Sequence, residues 1–424
     1  MFRGHSSRQS APRLRLTGIV GAALLTASAC GPRADEAGDA APRSADDLAA
    51  GYVALAYALA EVDPLYLDHS FHPARPAFEP LDLPDIERRA GRLLDAAAVI
   101  ARTEEEPRIR RIVDSLTALR LRARVLAGER IPMAEQLRLI FGLRGDDHEP
   151  DGERLRDRVS RALPGIAPIR VRVRRHDEAS LAPPEEAEGV LRAALAACRR
   201  EAFPDGPPMP LEPLRLRWMP PAETIRLPTG PTPFFSYEGA GRGTLRLPGG
   251  VPFRPTELRR LACHEGVPGH LLQAAAAEAQ FLETGYAELG IIPLYGPRTA
   301  VFEGLAAAAE RLLPSDPVDV ARRGLEPVVA RTLAAWLDGD LSRIEAVRAL
   351  DFGAFVPNPH ALLDHAGRFG SYALVRPDAD PRFAAALDRL VAPGVTAEER
   401  LEGLLRAIRE AMHPRDLPAV LSGS

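Results

Sequence analysis

Residues 260–273 read RLACHEGVPGHLLQ, and the fold turns on this stretch, because His264, Glu265 and His270 put two imidazoles and a carboxylate within two helical turns. In the zinc-hydrolase signature HExxH the histidines stand four apart and face one side of a helix, while the Glu acts on a metal-bound water. Here they stand six apart, which at about 100° per residue leaves them roughly 120° from a shared face. They converge on one metal only if the helix is interrupted between them. Gly266, Val267, Pro268 and Gly269 supply the interruption, since proline donates no backbone hydrogen and glycine tolerates φ values other residues avoid. The stretch reads as an HExxH site carrying a local bulge.

A lone His-Glu pair is usually a helix start with surface histidines. Its surroundings argue otherwise. Leu258, Leu261 and Ala262 precede the cluster and Leu271, Leu272 and Ala274 follow it, so the charges lie in a segment patterned for burial, where they need partners or a metal. Downstream, residues 299–313 read TAVFEGLAAAAERLL. Glu303, set among apolar neighbours, is the natural third zinc ligand and leaves a fourth position for water. Glu310, two turns on, is read as a solvent-facing charge ahead of a carboxylate backing a ligand.

HEGVPGHLLQ resembles the HExxPGHHxQ signature of the bacterial domain-of-unknown-function 885 proteins, and FEGLAAAAERL resembles their EGWAxYxE helix. TPFFSYEGAGRGTLRLP, upstream, is similar to the aromatic and glycine-rich stretch that family carries there. The likeness covers about residues 215–315. It implies a mostly helical, secreted or lipid-anchored, HExxH-type metallopeptidase, with His264, His270 and Glu303 as zinc ligands and Glu265 as general base. Leu271 replaces the second histidine of PGHH, Leu305 and Ala308 replace the Trp and Tyr of EGWAxY, and Arg368 stands where the family's C-terminal segment has Gln. These replacements leave the ligand set intact and are expected to alter the pocket surface.

Working outward, Arg3, Arg8, Arg13 and Arg15 precede an apolar run from Leu16 to Leu25, which reads as a signal peptide over 1–29 and is too short for a permanent span. Ala27, Ser28 and Ala29 lead into Cys30, a lipobox-like arrangement favoured over plain AxA cleavage and implying a lipid on Cys30. Residues 30–44 read as a disordered tether. The remaining chain divides into an N-terminal helical region, 45–204, and a metal-site region, 205–424, read as one continuous catalytic unit. With 5% aromatic residues and abundant Ala, Leu and Arg, the expected fold is mainly α with a small β element, a zincin-like helical metallohydrolase with its metal between two central helices. The net charge of -4 is small and its charges are interspersed, which argues against nucleic acid as partner. Every cationic side chain is Arg. Cys198 and Cys263 are open to pairing, though sequence alone does not bring them together; Cys263 is otherwise a small buried residue.

Helices are expected at about 45–61, 85–103, 105–126, 133–143, 183–203, 318–336, 341–349 and 396–412. Arg108, Arg110, Arg111, Arg120, Arg122 and Arg124 read as a solvated face. His69 and His72 read as histidines of a loop, 63–75, with no ligand partners. Short β-favouring pieces at 214–218, 224–227, 234–237 and 244–247 predict a small sheet beside the metal helix, with an edge for an extended substrate or simply a structural hairpin. Residues 283–298 read as a loop lining the cleft. Within 357–376, Tyr372 and then His365 are candidates to stabilise an oxyanion. The expected function is an exported, lipid-anchored zinc hydrolase of peptide or amide bonds. Alternatives are a non-catalytic binding lipoprotein and a metal-dependent esterase.

Overall fold

A computed structural model describes residues 42–75, 78–101, 106–143, 151–224, 232–375 and 381–422. The expected signal peptide, Cys30, the tether up to residue 41 and most of the 224–227 β piece lie outside those residues. Ser44 opens the first helix, α1 (Ala45–Val62), by accepting the Asp47 amide, and Asp82 caps α2 (Leu83–Ile100) in the same way. With α3 (Glu106–Leu126) they form a layer of three mutually packed helices, continued by α4 (Met133–Phe141), α5 (Gly152–Ala162), α6 (Ile169–Ala179) and α7 (Ala187–Ala202).

The chain then becomes extended. β2 (Arg215–Met219) follows the short β1 (Leu67–Ser70) in sequence, and after α8 (Pro221–Thr224) come β3 (Phe234–Gly239) and β4 (Arg242–Pro248). The three later strands form a sheet in the order β2-β4-β3, parallel for β2 with β4 and antiparallel for β3 with β4. Next come α9 (Pro255–Glu265), α10 (His270–Thr284), β5 (Ile291–Pro293) and α11 (Pro297–Ala309), and β5 pairs antiparallel with β1. The remaining helices are α12 (Pro317–Arg323), α13 (Glu326–Asp338), α14 (Arg343–Arg348), α15 (Pro359–Phe369), α16 (Pro381–Leu390), α17 (Ala397–Glu410) and α18 (Leu417–Ser422). The fold is mainly α with small sheets, and from Pro42 onward it forms one unit.

The helices that frame the site are held from three sides. Cys198 of α7 and Cys263 of α9 form a disulfide with Cα atoms 5.4 Å apart. α11 runs through the main core with Ala300, Ala306, Ala308 and Ala309 nearly fully buried, small residues that let neighbouring helices approach. At Gly304 a Cβ would sit 2.2 Å from the Phe383 ring of α16, so only glycine fits there.

Four expectations need correction. The 318–336 helix is two, α12 and α13, because Pro327 in the first turn of α13 has no hydrogen to continue the ladder. The 63–75 loop contains β1, and the 283–298 loop contains a short 3₁₀ turn and β5. Nor is the arginine run of α3 simply a solvated face. Arg108 and Arg122 are buried, Arg108 in a two-point pair with Glu288 and Arg122 with Asp63, because isolated buried charge is too costly.

Candidate metal centre

α9 ends at Glu265 and α10 begins at His270, so the helix breaks in two rather than bulging. The Val267–Pro268 bond is cis. Both glycines are required by space. A Cβ on Gly266 would meet the Ala262 carbonyl at 2.5 Å, and one on Gly269 would meet the His264 carbonyl at 1.8 Å. The turn therefore folds tightly back on α9 and delivers His270 beside His264, their rings perpendicular and 4.7 Å apart.

Glu303 of α11 completes a cluster with His264 and His270 whose ligand atoms all lie within 4.8 Å of one another. Its carboxylate oxygens are 3.4 Å from His264 Nε2 and 3.7 Å from His270 Nε2. The other ring nitrogens are engaged elsewhere. His264 Nδ1 lies 3.0 Å from Glu310 Oε1, whose second oxygen accepts Arg260 Nε at 2.7 Å. His270 Nδ1 lies 2.9 Å from the Gln273 side-chain oxygen, and Gln273 donates to the Phe302 carbonyl at 3.0 Å. With Nδ1 of each ring engaged from behind, both Nε2 atoms turn to the shared space, where the His264 proton toward Glu303 is the one a metal would displace. Two such imidazoles and a carboxylate suit a catalytic zinc, which keeps a further position open. Glu310 is thus no solvent-facing charge; its side chain is 14% exposed and backs a candidate ligand.

Electrostatics separate the three acids. Burial pushes the Glu303 carboxyl up, but the His264 hydrogen bond, the two imidazoles and Tyr372 outweigh it and hold it down to about 2. Burial likewise opposes ionisation of Glu310, and His264 with Arg260 brings it to about 2. Glu265 differs. Burial raises its pKa, the imidazoles only partly offset that, and Glu303 and Asp68 add to the rise. A carboxylate poised upward is what a general base needs near neutrality. His264 is shifted well above its usual value: burial opposes its charge, and the surrounding carboxylates prevail.

Tyr372 is brought to the cluster. Its hydroxyl donates to Glu303 Oε1 at 2.7 Å, and burial with the Glu303 charge keeps the phenol protonated. His365 stands further out. Its ring lies 4.6 Å from Phe369, which in turn faces Tyr372 at 5.6 Å, and its Nδ1 is 3.3 Å from the Thr232 hydroxyl.

The sequence reading missed His69 and Asp68. β1 places both on the wall of a cleft shared with His270, Gln273, Phe302 and Glu303. His69 is buried neutral, its pKa lowered by desolvation. Phe235 of β3 stacks at 6.4 Å on His270 and meets His69 edge-on at 5.6 Å, so an edge strand borders the cluster as expected. Tyr237 ties that strand to α10 through a 2.7 Å bond to Glu278. No local signal marked Asp68 and His69, because their placement depends on pairing with β5.

No family model and no curated protein sequence matches the chain. In fold it is similar to a crystal structure described as "the putative lipoprotein from Colwellia psychrerythraea", with a TM-score of 0.50 over 81% of this chain and 70% of that one, at 13% identity. At that identity the likeness is one of fold alone.

Proposed function

We propose that this chain is an exported zinc-dependent hydrolase of peptide or amide bonds, on a zincin-like arrangement with the metal between α9–α10 and α11. The observation that carries the reading is the convergence of His264, His270 and Glu303 with both imidazoles braced from behind. When bound, zinc would supply an acidified water and a Lewis acid for the carbonyl. The chain's own residues do the rest. Glu265, buried and raised in pKa, takes a proton from the attacking water and returns it to the leaving nitrogen. Tyr372, kept protonated and donating to Glu303 in the free site, would turn that proton to the developing oxyanion. β3, an edge strand of its sheet, would be the strand to pair with an extended substrate.

Export and anchoring belong to the same proposal. The arginine-flanked apolar run and Cys30 support a lipid-anchored leader, and the Cys198–Cys263 disulfide suits an oxidising compartment. No helix among the described residues is long and apolar enough to cross a membrane.

Metal analysis of the soluble form starting after Cys30 tests the reading. About one zinc per chain is expected, lost in His270→Ala and Glu303→Ala and kept in Glu265→Gln, which should lose at least about 10²-fold in turnover of a peptide or amide library. No zinc in folded wild type, even after it is supplied, would replace the hydrolase with a binding lipoprotein.

A further inference from the structure

Arg298 occupies the first turn of α11, the helix end whose dipole favours negative charge. It is 7% exposed. Its Nη2 donates to the Ile408 carbonyl at 2.6 Å and its guanidinium lies 4.9 Å from the Phe302 ring, yet its Nε is buried without a partner. Arg111 of α3 has a buried, unpartnered Nε as well. Both line one narrow pocket, together with Tyr52, Ser115, Gly296 and Pro297. Glu288 also borders the cavity, but its two oxygens are taken by Arg108 at 2.9 and 3.1 Å. Among the described residues neither Arg111 nor Arg298 has a carboxylate partner.

Two guanidinium groups and the start of α11 therefore border one narrow space whose own carboxylate, Glu288, is committed to Arg108. Burial and the charge of Arg111 hold Arg298 down to about 10, still cationic at neutral pH. A water molecule accepts hydrogen bonds but leaves the charge uncompensated, and buried uncompensated charge is among the costliest features a fold can carry.

We propose that this cavity is a binding site for a single chloride-sized monovalent anion, held by Arg298, Arg111 and the amino end of α11. Size sets the class. The space in which the centre of a water-sized sphere can sit is about 20 Å³, room for about one such sphere and too little for phosphate or a substrate carboxylate with its chain. The ion braces the start of the helix that carries Glu303, so its effect is read in stability and is independent of the zinc proposal.

The soluble chain, as purified and again with chelator present, is melted in sodium chloride and in sodium gluconate at equal ionic strength. Wild type is expected to melt higher in about 0.2 M chloride, by about 2 °C or more. Arg298→Met should lose that increment and melt in gluconate no lower than wild type, a buried unpaired charge having been removed. Crystals grown in bromide should show an anomalous peak within bonding reach of Arg298 Nε. Should Arg298→Met fail to fold, the bromide peak decides alone. Equal melting in both salts with no bromide at the site, or a chloride increment that survives in Arg298→Met, overturns the assignment.

Discussion

Replacing Glu310 with Gln separates a carboxylate that braces a ligand from one that merely sits nearby. Glu310 Oε1 accepts from His264 Nδ1 at 3.0 Å while Oε2 accepts from Arg260 Nε at 2.7 Å. A Gln of the same shape has one oxygen for these two donors. Whichever way its amide is turned, a buried donor faces its NH₂ group, a loss of about 1–3 kcal/mol, and His264 loses the anion that fixes its tautomer and raises its basicity. Removing such a brace typically weakens metal binding about 10–100-fold, equivalent to about 1.4–2.8 kcal/mol. Zinc affinity would be measured by competition with a chromophoric chelator, and melting in excess chelator would report folding. A Glu310→Gln protein that melts normally and binds zinc as tightly as wild type would refute the role assigned here, and Glu310 would be only a partner of Arg260.

Three other expectations follow from the same geometry. Tyr372→Phe should retain zinc and lose about 10²-fold in kcat with KM little changed, because on the proposed mechanism the phenol turns its proton from Glu303 to the developing oxyanion; unaltered kcat would reduce Tyr372 to a support for Glu303. Replacing Cys198 and Cys263 together with Ala should cost about 2–4 kcal/mol, seen as a lower melting temperature than wild type under non-reducing conditions; identical melting would mean the bond does not form in solution. For pH, Glu303 and Glu310 are lowered from 4.5 to about 2, so their stabilisation is present above about 4.5 and is lost as pH falls toward 2. His264 is raised above 6.5, so its contribution is full below 6.5 and fades as pH climbs through its folded value. The metal-free protein should be most stable between those limits, and zinc affinity should rise with pH as the proton is displaced; affinity flat from about pH 6 to about pH 8 would contradict this.

What sequence revealed was what neighbouring residues encode. His264, Glu265 and His270 are compressed into seven positions, and the spacing conflict itself called for the interruption that Gly266 and Gly269 supply. Glu303 was legible because an acid in an alanine-rich apolar helix needs a reason. The alternation of residues 244–247 marked its strand through its period, whereas Pro297, read as part of the 283–298 loop, opens α11. Glu310 was misread because helical spacing gives a direction and not a partner, and its partner is on α9. Asp68 and His69 were out of reach, since only the pairing of β1 with the distant β5 brings them to the cleft. The arginines of α3 failed for the same reason: Glu288 and Asp63, which let Arg108 and Arg122 be buried, are remote in sequence.

The departures from the HExxPGHHxQ and EGWAxYxE patterns that the sequence resembles take on a different meaning in this fold. Leu271, Leu305 and Ala308 are each at most 1% exposed, packed in the core, and none borders the cleft that holds His270 and Glu303. Their effect is on how α10 and α11 pack, and the space beside α11 is occupied by Phe383 and Leu387 of α16, both within 3.1 Å of where a Cβ on Gly304 would stand. The expectation that these replacements alter the pocket surface does not hold for this cleft. Its walls come from β1, through Asp68 and His69, and from Phe302 and Thr299 on the near side of α11, with Phe235 of β3 across from His270. Substrate preference is therefore to be sought in β1 and β3. If the proposed hydrolase reading holds, Asp68, partly exposed beside His69, is the first position at which a change should alter substrate preference without loss of zinc, and Asp68→Asn with an unchanged preference across charged and neutral peptides would refute this.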